Sequence, residues 1–428
     1  MESIVSIVKS KFNIFENRDF MLLVIGRIVS NIGNSLHNAA VAWYIMSLVG
    51  EKSAGTFMGI FGMCSLIPFI IFGPISGVFV DKIDRKKIIV GTDFIRGGLI
   101  LLLAILAYLD VLNLWILFII TAISAFFATF FNPAVSATIP NIVEEKDLNR
   151  ANSLDGMSLQ LSWIVGVAIS GFLYYWIGIL GIFILNGVSF IISGVSETFI
   201  NIPPIKMNMD DANKNEWSFW KEFKEGIIFL KGQKAIVILL GFAIIINFLF
   251  NPLFQIVFPK TVKFTLNLTA RENGILSSVF PIGAIIGMFI LSILPSREKY
   301  YMFMINGIIA NGLIMILFGV PLIFFKFSLI SSFGVYIIFL FLILILGIVN
   351  ALVNVPINTT FQKIVPDEFR GRFFGIVNTL SQGIVPLGLA VIGYISDKLA
   401  TSTIFMFSGA IILLLGVCMF FIPELREF

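Results

Sequence analysis

Twelve apolar segments follow one another along the chain, near 19–47, 55–80, 88–109, 114–139, 154–177, 180–200, 235–258, 271–294, 301–324, 333–358, 372–396 and 402–423. At about 1.5 Å per helical residue, each is long enough to cross roughly 30 Å of hydrocarbon. The pattern predicts an all-α membrane protein of twelve transmembrane helices, with both termini on one side. Phe324, Phe325 and Phe327 blur the break near 319–334. The first apolar segment is long and lacks a small-residue cleavage site, so it reads as a retained signal anchor.

One polar stretch is longer than the others. Residues 201–216 contain Pro203-Pro204 and read as a linker. Residues 217–232 place Trp220, Phe223, Ile227 and Leu230 on one helical stripe, with Lys221, Glu222, Lys224 and Glu225 elsewhere. That pattern suits a helix lying in the inner membrane interface. The predicted organisation is a six-helix bundle over 1–200, a cytoplasmic linker over 201–234 and a second six-helix bundle over 235–428. The halves repeat at a constant offset of 222 positions: Asn132 falls on Asn354, Arg150 on Arg372, Gln160 on Gln382, Gly166 on Gly388 and Gly171 on Gly393. Two six-span repeats joined by a linker are the plan of a secondary transporter with its substrate site between the halves.

Charge sets the direction. The run from Gly77 to Lys87 packs Asp81, Lys82, Asp84, Arg85, Lys86 and Lys87 between two apolar segments, where only water can hold it. Its four basic residues make that side cytoplasmic. Lys146, Arg150, Lys206, Lys214, Lys221, Lys224, Lys231, Lys234, Arg297 and Lys299 fall on the same side, against Lys52, Lys260, Lys263, Arg271, Lys326 and Lys398 on the other. Trp43, Tyr44, Tyr108, Trp115 and Tyr174-Tyr175-Trp176 read as anchors at the outer boundary.

Composition agrees. Of 428 residues, 58% are hydrophobic and 13% charged, where a soluble chain carries roughly 25%. The net charge of +4 comes from short loops and does not suggest nucleic acid as a partner. Cys64 and Cys418 lie in apolar runs and read as buried small hydrophobes.

Several motifs resemble the major facilitator superfamily, and within it the branch of multidrug, macrolide and enterobactin-type exporters. Gly77, Asp81, Arg85 and Lys86 follow the superfamily's loop 2–3 motif, with Asp84 where Gly is usual. Pro140-Asn141-Ile142-Val143, Glu145, Leu148 and Ala151-Asn152 match the branch after span 4. Gln362-Lys363-Ile364-Val365-Pro366, Glu368 and Arg370-Gly371-Arg372 match it after span 10, and Gly26-Arg27, Ser30, Gly33 and Trp43 in span 1. Two positions depart: Asn34 stands where the branch often has an acid, and Val167 replaces the Pro of a Gly-Pro pair in span 5.

The resemblance implies the major facilitator fold, a central cavity lined by spans 1, 4, 7 and 10, and export of amphipathic small molecules by alternating access. Amides at helical spacing are the cavity candidates: Asn31, Asn34 and Asn38 in span 1; Asn247, Asn251 and Gln255 in span 7; Asn350, Asn354 and Asn358 in span 10; with Asn132, Gln160 and Gln382. Interhelical packing is the competing role for each. His37 and Asp93 are the protonatable candidates. Gly77, Asp81, Arg85, Lys86 and Arg372 are gating candidates, with Asp81 and Arg85 latching the halves when the cytoplasmic side is closed. Asp93 and Arg96 are spaced to pair along one helix, near Arg27. Asp155 and Glu197 read as interfacial charges.

No GxxxxGK[ST] loop is present, so ATP is not the direct energy source. No metal site, cofactor or catalytic constellation is expected. The expected partners are a small-molecule substrate, protons or another coupling ion, and the lipid bilayer of the cell membrane, with the chain a monomer. An importer on the same fold and a non-transporting receptor or scaffold are the alternative functions.

Overall fold

The computed structural model describes residues 14–202, 228, 232–293, 301–365 and 367–427, excluding the side chains of 74, 78, 81, 82, 362, 363, 367–372, 374, 426 and 427. The interfacial helix expected over 217–232 lies almost wholly outside the described residues, as do Arg297 and Lys299.

Among the described residues every regular element is helical. The membrane-length helices are α1 (Arg18–Val49), α2 (Glu51–Lys82), α3 (Arg85–Tyr108) and α4 (Leu114–Ile142). The helix Leu148–Thr198 breaks at Gly178 (φ 60°), giving α5 (148–177) and α6 (179–198). Then come α7 (Lys234–Thr265), α8 (Ala270–Ile293), α9 (Tyr301–Lys326), α10 (Ser332–Ile364), α11 (367–396, interrupted at Ile384) and α12 (Thr401–Phe420). Twelve crossings result, as the apolar pattern predicts. In the most apolar windows only 28–50% of residues are buried, and large apolar side chains such as Phe289, Ile293, Phe341 and Leu414 are exposed, as suits a bilayer-embedded surface.

The connections explain where the helices stop. Asn113 accepts from the Ile116 amide (3.0 Å) to cap α4, Ser331 from the Gly334 amide (3.1 Å) to cap α10, and Asp84 from the Lys86 amide (2.9 Å) to cap α3. Between α1 and α2, and between α5 and α6, the chain turns at one residue with positive φ: Gly50 (71°) and Gly178 (60°). Glycine, which has no Cβ, takes positive φ at the least cost.

The contacts divide the chain into two compact units, one within Met1–Tyr44 and Cys64–Asn215, the other within Ile45–Met63 and Glu216–Phe428. In the first, α1 and α3 both close on α6 through small residues. A Cβ on Gly33 would lie 2.3 Å from Ser189 Oγ, and one on Gly97 3.1 Å from the Gly187 carbonyl. α5 meets α1 where a Cβ on Gly166 would lie 2.7 Å from the Ile32 carbonyl. Backbones this close leave α6 side chains facing α1 and α3 with no access to lipid. Phe20, Leu23, Ile89, Phe131, Val135 and Ile139 form a buried apolar cluster in the same unit.

The second unit is organised by aromatic contacts. Phe254, Phe258, Phe318, Phe339 and Phe405 form a continuous series with centroid separations from 5.0 to 6.5 Å. Residues 45–63 belong to this unit because α2 meets α11 glycine to glycine: a Cβ on Gly55 would lie 2.3 Å from the Gly393 carbonyl.

α7 runs past its expected end at 258, through two π-helical stretches, Leu253–Val257 and Thr261–Thr265. Lys260, expected in an outer loop, is therefore inside the helix and 3% exposed. Trp43 also departs from expectation: it is buried, while Tyr108, Trp115, Tyr175 and Trp176 are exposed as interface anchors should be. Cys64 is half-buried and Cys418 exposed, so neither is the buried small residue its apolar context suggests. Each lies on a helix face that only tertiary packing could have covered.

Candidate functional site

The polar groups inside the helices fall into separate sets. In the first unit, α1 brings Arg27 to the start of α5 and to α4. Its guanidinium pairs with Asp155 and donates to Asn132 Oδ1 at 3.1 Å. Asn132, read from the sequence as a cavity amide, thus serves the buried arginine with its oxygen. Asp155 is one half of an intramembrane ion pair, with its side chain 15% exposed, rather than a solvated interfacial charge. The sequence could not place it because Arg27 is 128 residues away.

Behind this pair lies a second group of charges on α3 and α6. Asp93 is 0% exposed and Glu197 is 1% exposed. Glu197 was expected at the inner interface, where water and basic loops would solvate it. It lies on the α6 face packed against α3, where a Cβ on Gly194, one turn before it, would be in ordinary van der Waals contact with Phe94 and Asp93. Ser193 donates to Glu197 Oε1 at 3.3 Å. Asp93 and Arg96 do not form the expected helical pair. The Arg96 guanidinium instead lies 4.1 Å from the centre of the Phe190 ring on α6, where ring electrons stabilise a cation in a dry site.

His37 is also buried, 4% exposed, with its ring 5.4 Å from that of Phe183. Of the α1 amides, Asn31 and Asn34 are half-buried and Asn38 is exposed. Gln160 on α5 is exposed.

The second unit carries two matching amide ladders. On α7, Asn251 Nδ2 donates to Asn247 Oδ1 at 3.1 Å. On α10, Asn354 Nδ2 donates to Asn350 Oδ1 at the same distance. In each, the donating Nδ2 also meets the backbone carbonyl of the same partner, at 3.4 Å on α7 and 3.0 Å on α10, so Asn251 and Asn354 keep their amide oxygens, and Asn247 and Asn350 their NH2 groups, for a further partner. Gln255, Asn358 and Gln382 are exposed. Such groups are costly in lipid and belong where water or solute can reach them.

Of the gating candidates, Arg85 donates to the Ala137 carbonyl of α4 at 2.8 Å, inside its own unit. Lys86 is half-buried and Gly77 leaves open space for a Cβ. The side chains of Asp81 and Arg372 lie outside the described residues.

The architecture has close counterparts. Macrolide efflux protein A of Streptococcus pyogenes is 24% identical over 408 residues, covering 95% of this chain and 96% of the relative. The multidrug efflux pump Tap of Mycolicibacterium fortuitum is 22% identical over 413 residues, 95% of this chain and 96% of that protein. Among solved structures, a bacterial homologue of the iron transporter ferroportin in an inward-facing state superposes with a TM-score of 0.67 at 16% identity, covering 94% of this chain and 98% of the other. The family model described as Major Facilitator Superfamily matches residues 23–388, and again 240–427. With twelve membrane-length helices and a family match over most of its length, the chain belongs to the Major Facilitator Superfamily of membrane transporters.

Proposed function

We propose that this transporter exports amphipathic small molecules of the macrolide, drug or siderophore class across the cell membrane by alternating access, driven by an ion gradient. The observation that carries the reading is the pair of uncharged amide ladders, Asn247–Asn251 and Asn350–Asn354, on two membrane-length helices. Amides with spare donors and acceptors suit a bulky solute with scattered hydroxyl, carbonyl and ether groups. The efflux proteins that resemble this chain nearly end to end favour outward transport. Both termini are cytoplasmic in this reading, which the loop charges support, and the protein works as a monomer.

The test is uptake of radiolabelled erythromycin into everted membrane vesicles, with and without an uncoupler. Accumulation that collapses with the gradient supports the proposal. Accumulation only in right-side-out vesicles would mean an importer, and no protein-dependent flux of erythromycin or of a panel of drugs and siderophores would mean a non-transporting protein.

A further inference from the structure

The charges enclosed by α1, α3, α5 and α6 do not balance. Deep between these helices, among the described residues, Arg27 and Arg96 are the guanidiniums, and Asp93, Glu197 and the partly exposed Asp155 the carboxyls; Arg85, in the first turn of α3, is bonded instead to the Ala137 carbonyl of α4. Arg27 is taken up by Asp155 and Asn132. Arg96 faces the Phe190 ring and, among the described residues, makes no direct ion pair. Among the described residues neither Asp93 carboxyl oxygen nor Glu197 Oε2 completes a hydrogen bond, and the Ser193 hydroxyl, which donates to Glu197 Oε1, is the polar group that acts on both carboxyls. Both are fully enclosed, and they lie within electrostatic reach of one another and of Arg27, Arg96 and Ser193. The remaining titratable neighbour is His37 on α1, buried against Phe183 and facing the Arg96 charge.

Two carboxylates within electrostatic reach of one another in a dry site repel, and a single serine hydroxyl replaces little of the hydration they lose. Adding one proton to the pair removes the repulsion, makes one member a donor, and brings the set of five to neutrality. We propose that Asp93 and Glu197 form a single proton-binding site, holding one proton between them at neutral pH and exchanging it with water during the transport cycle. On release, the O–H bond of the acid breaks and the proton passes to water, leaving two carboxylates. The site lies on the α3–α6 contact and does not use the span 1 position occupied by Asn34.

This proposal rests on the gradient-coupled reading, and two measurements separate their failures. The first needs no substrate. Infrared spectra of the purified protein at neutral pH should show the carbonyl stretch of a protonated carboxylic acid, shifted in D2O. The band should be lost in Asp93→Asn and in Glu197→Gln, and retained with a changed frequency in Glu197→Asp. A wild-type spectrum without the band, or a band that survives both substitutions, overturns the site. The second uses proteoliposomes with radiolabelled erythromycin. Glu197→Gln should keep equilibrium exchange and lose gradient-driven accumulation. Gradient-driven accumulation equal to wild type would overturn the coupling role. A wild-type protein that shows the band and no gradient-dependent flux would leave the site standing and remove the coupled-export reading.

Discussion

Lys260 Nζ and Asp397 Oδ1 lie 2.6 Å apart, with their side chains only 3% and 5% exposed. The pair does not stand alone. Lys260 also donates to the Ser396 carbonyl at 2.6 Å, and Asp397 accepts from the amides of Gly55 and Thr56, each at 2.8 Å, and from the Thr56 hydroxyl at 2.7 Å. One carboxylate thereby ties α7, α11 and the first turns of α2 together. Replacing Asp397 with Asn strands a buried ammonium, which typically costs about 3–5 kcal/mol. The apparent melting temperature of Asp397→Asn should fall sharply, and the double variant Lys260→Met/Asp397→Asn should recover much of the loss. Equal melting of the single and double variants would show that the charge pair is not the stabilising element.

The α2–α11 contact is steric as well as ionic. A Cβ on Gly55 would lie 1.9 Å from Ser396 Oγ, and one on Gly59 2.6 Å from the Leu389 carbonyl. Gly55→Val should therefore abolish a monodisperse peak in size-exclusion chromatography. Gly73→Ala, where nothing lies within 4 Å, should elute and melt like the wild type.

The amide ladders make a functional prediction. Asn251→Leu and Asn354→Leu each remove two hydrogen bonds confined to one helix, so expression should be preserved. The set of exported compounds should shift, read as changed minimum inhibitory concentrations across a macrolide and drug panel. An unchanged panel for both variants would take the ladders out of the substrate path.

Arg27 and Asp155 should behave as a coupled unit. Each single neutralisation, Arg27→Gln or Asp155→Asn, leaves its partner unpaired inside the membrane. The double variant should be less destabilised than the sum of the two, by roughly 1–3 kcal/mol for residues in direct contact. Thermal unfolding of all four proteins in detergent closes the cycle, and strict additivity would mean the two do not interact in solution.

Apolar length and loop charge were enough to read all twelve helices, because a membrane span needs about twenty apolar residues whatever its neighbours are. The motifs carried the family. What the pattern along the chain could not carry was the partner of each intramembrane charge. Glu197 sits at the end of an apolar run and reads as interfacial; it is buried because α6 packs against α3, a hundred residues upstream. Lys260 reads as a loop residue because charge normally ends a span, yet Asp397 holds it inside a helix that continues to Thr265. Arg96 was three residues from an acid and chose an aromatic ring. These outcomes are set by helix packing, to which hydropathy is blind.

The one-residue corners at Gly50 and Gly178 have a practical consequence for anyone approaching the molecule from that side. The other turns that follow odd-numbered helices, 109–113, 266–269, 327–331 and 397–400, are five residues or fewer. A protease, an antibody or a grafted epitope tag would find almost no slack chain to grip there. At these turns the transporter is nearly bare of handles.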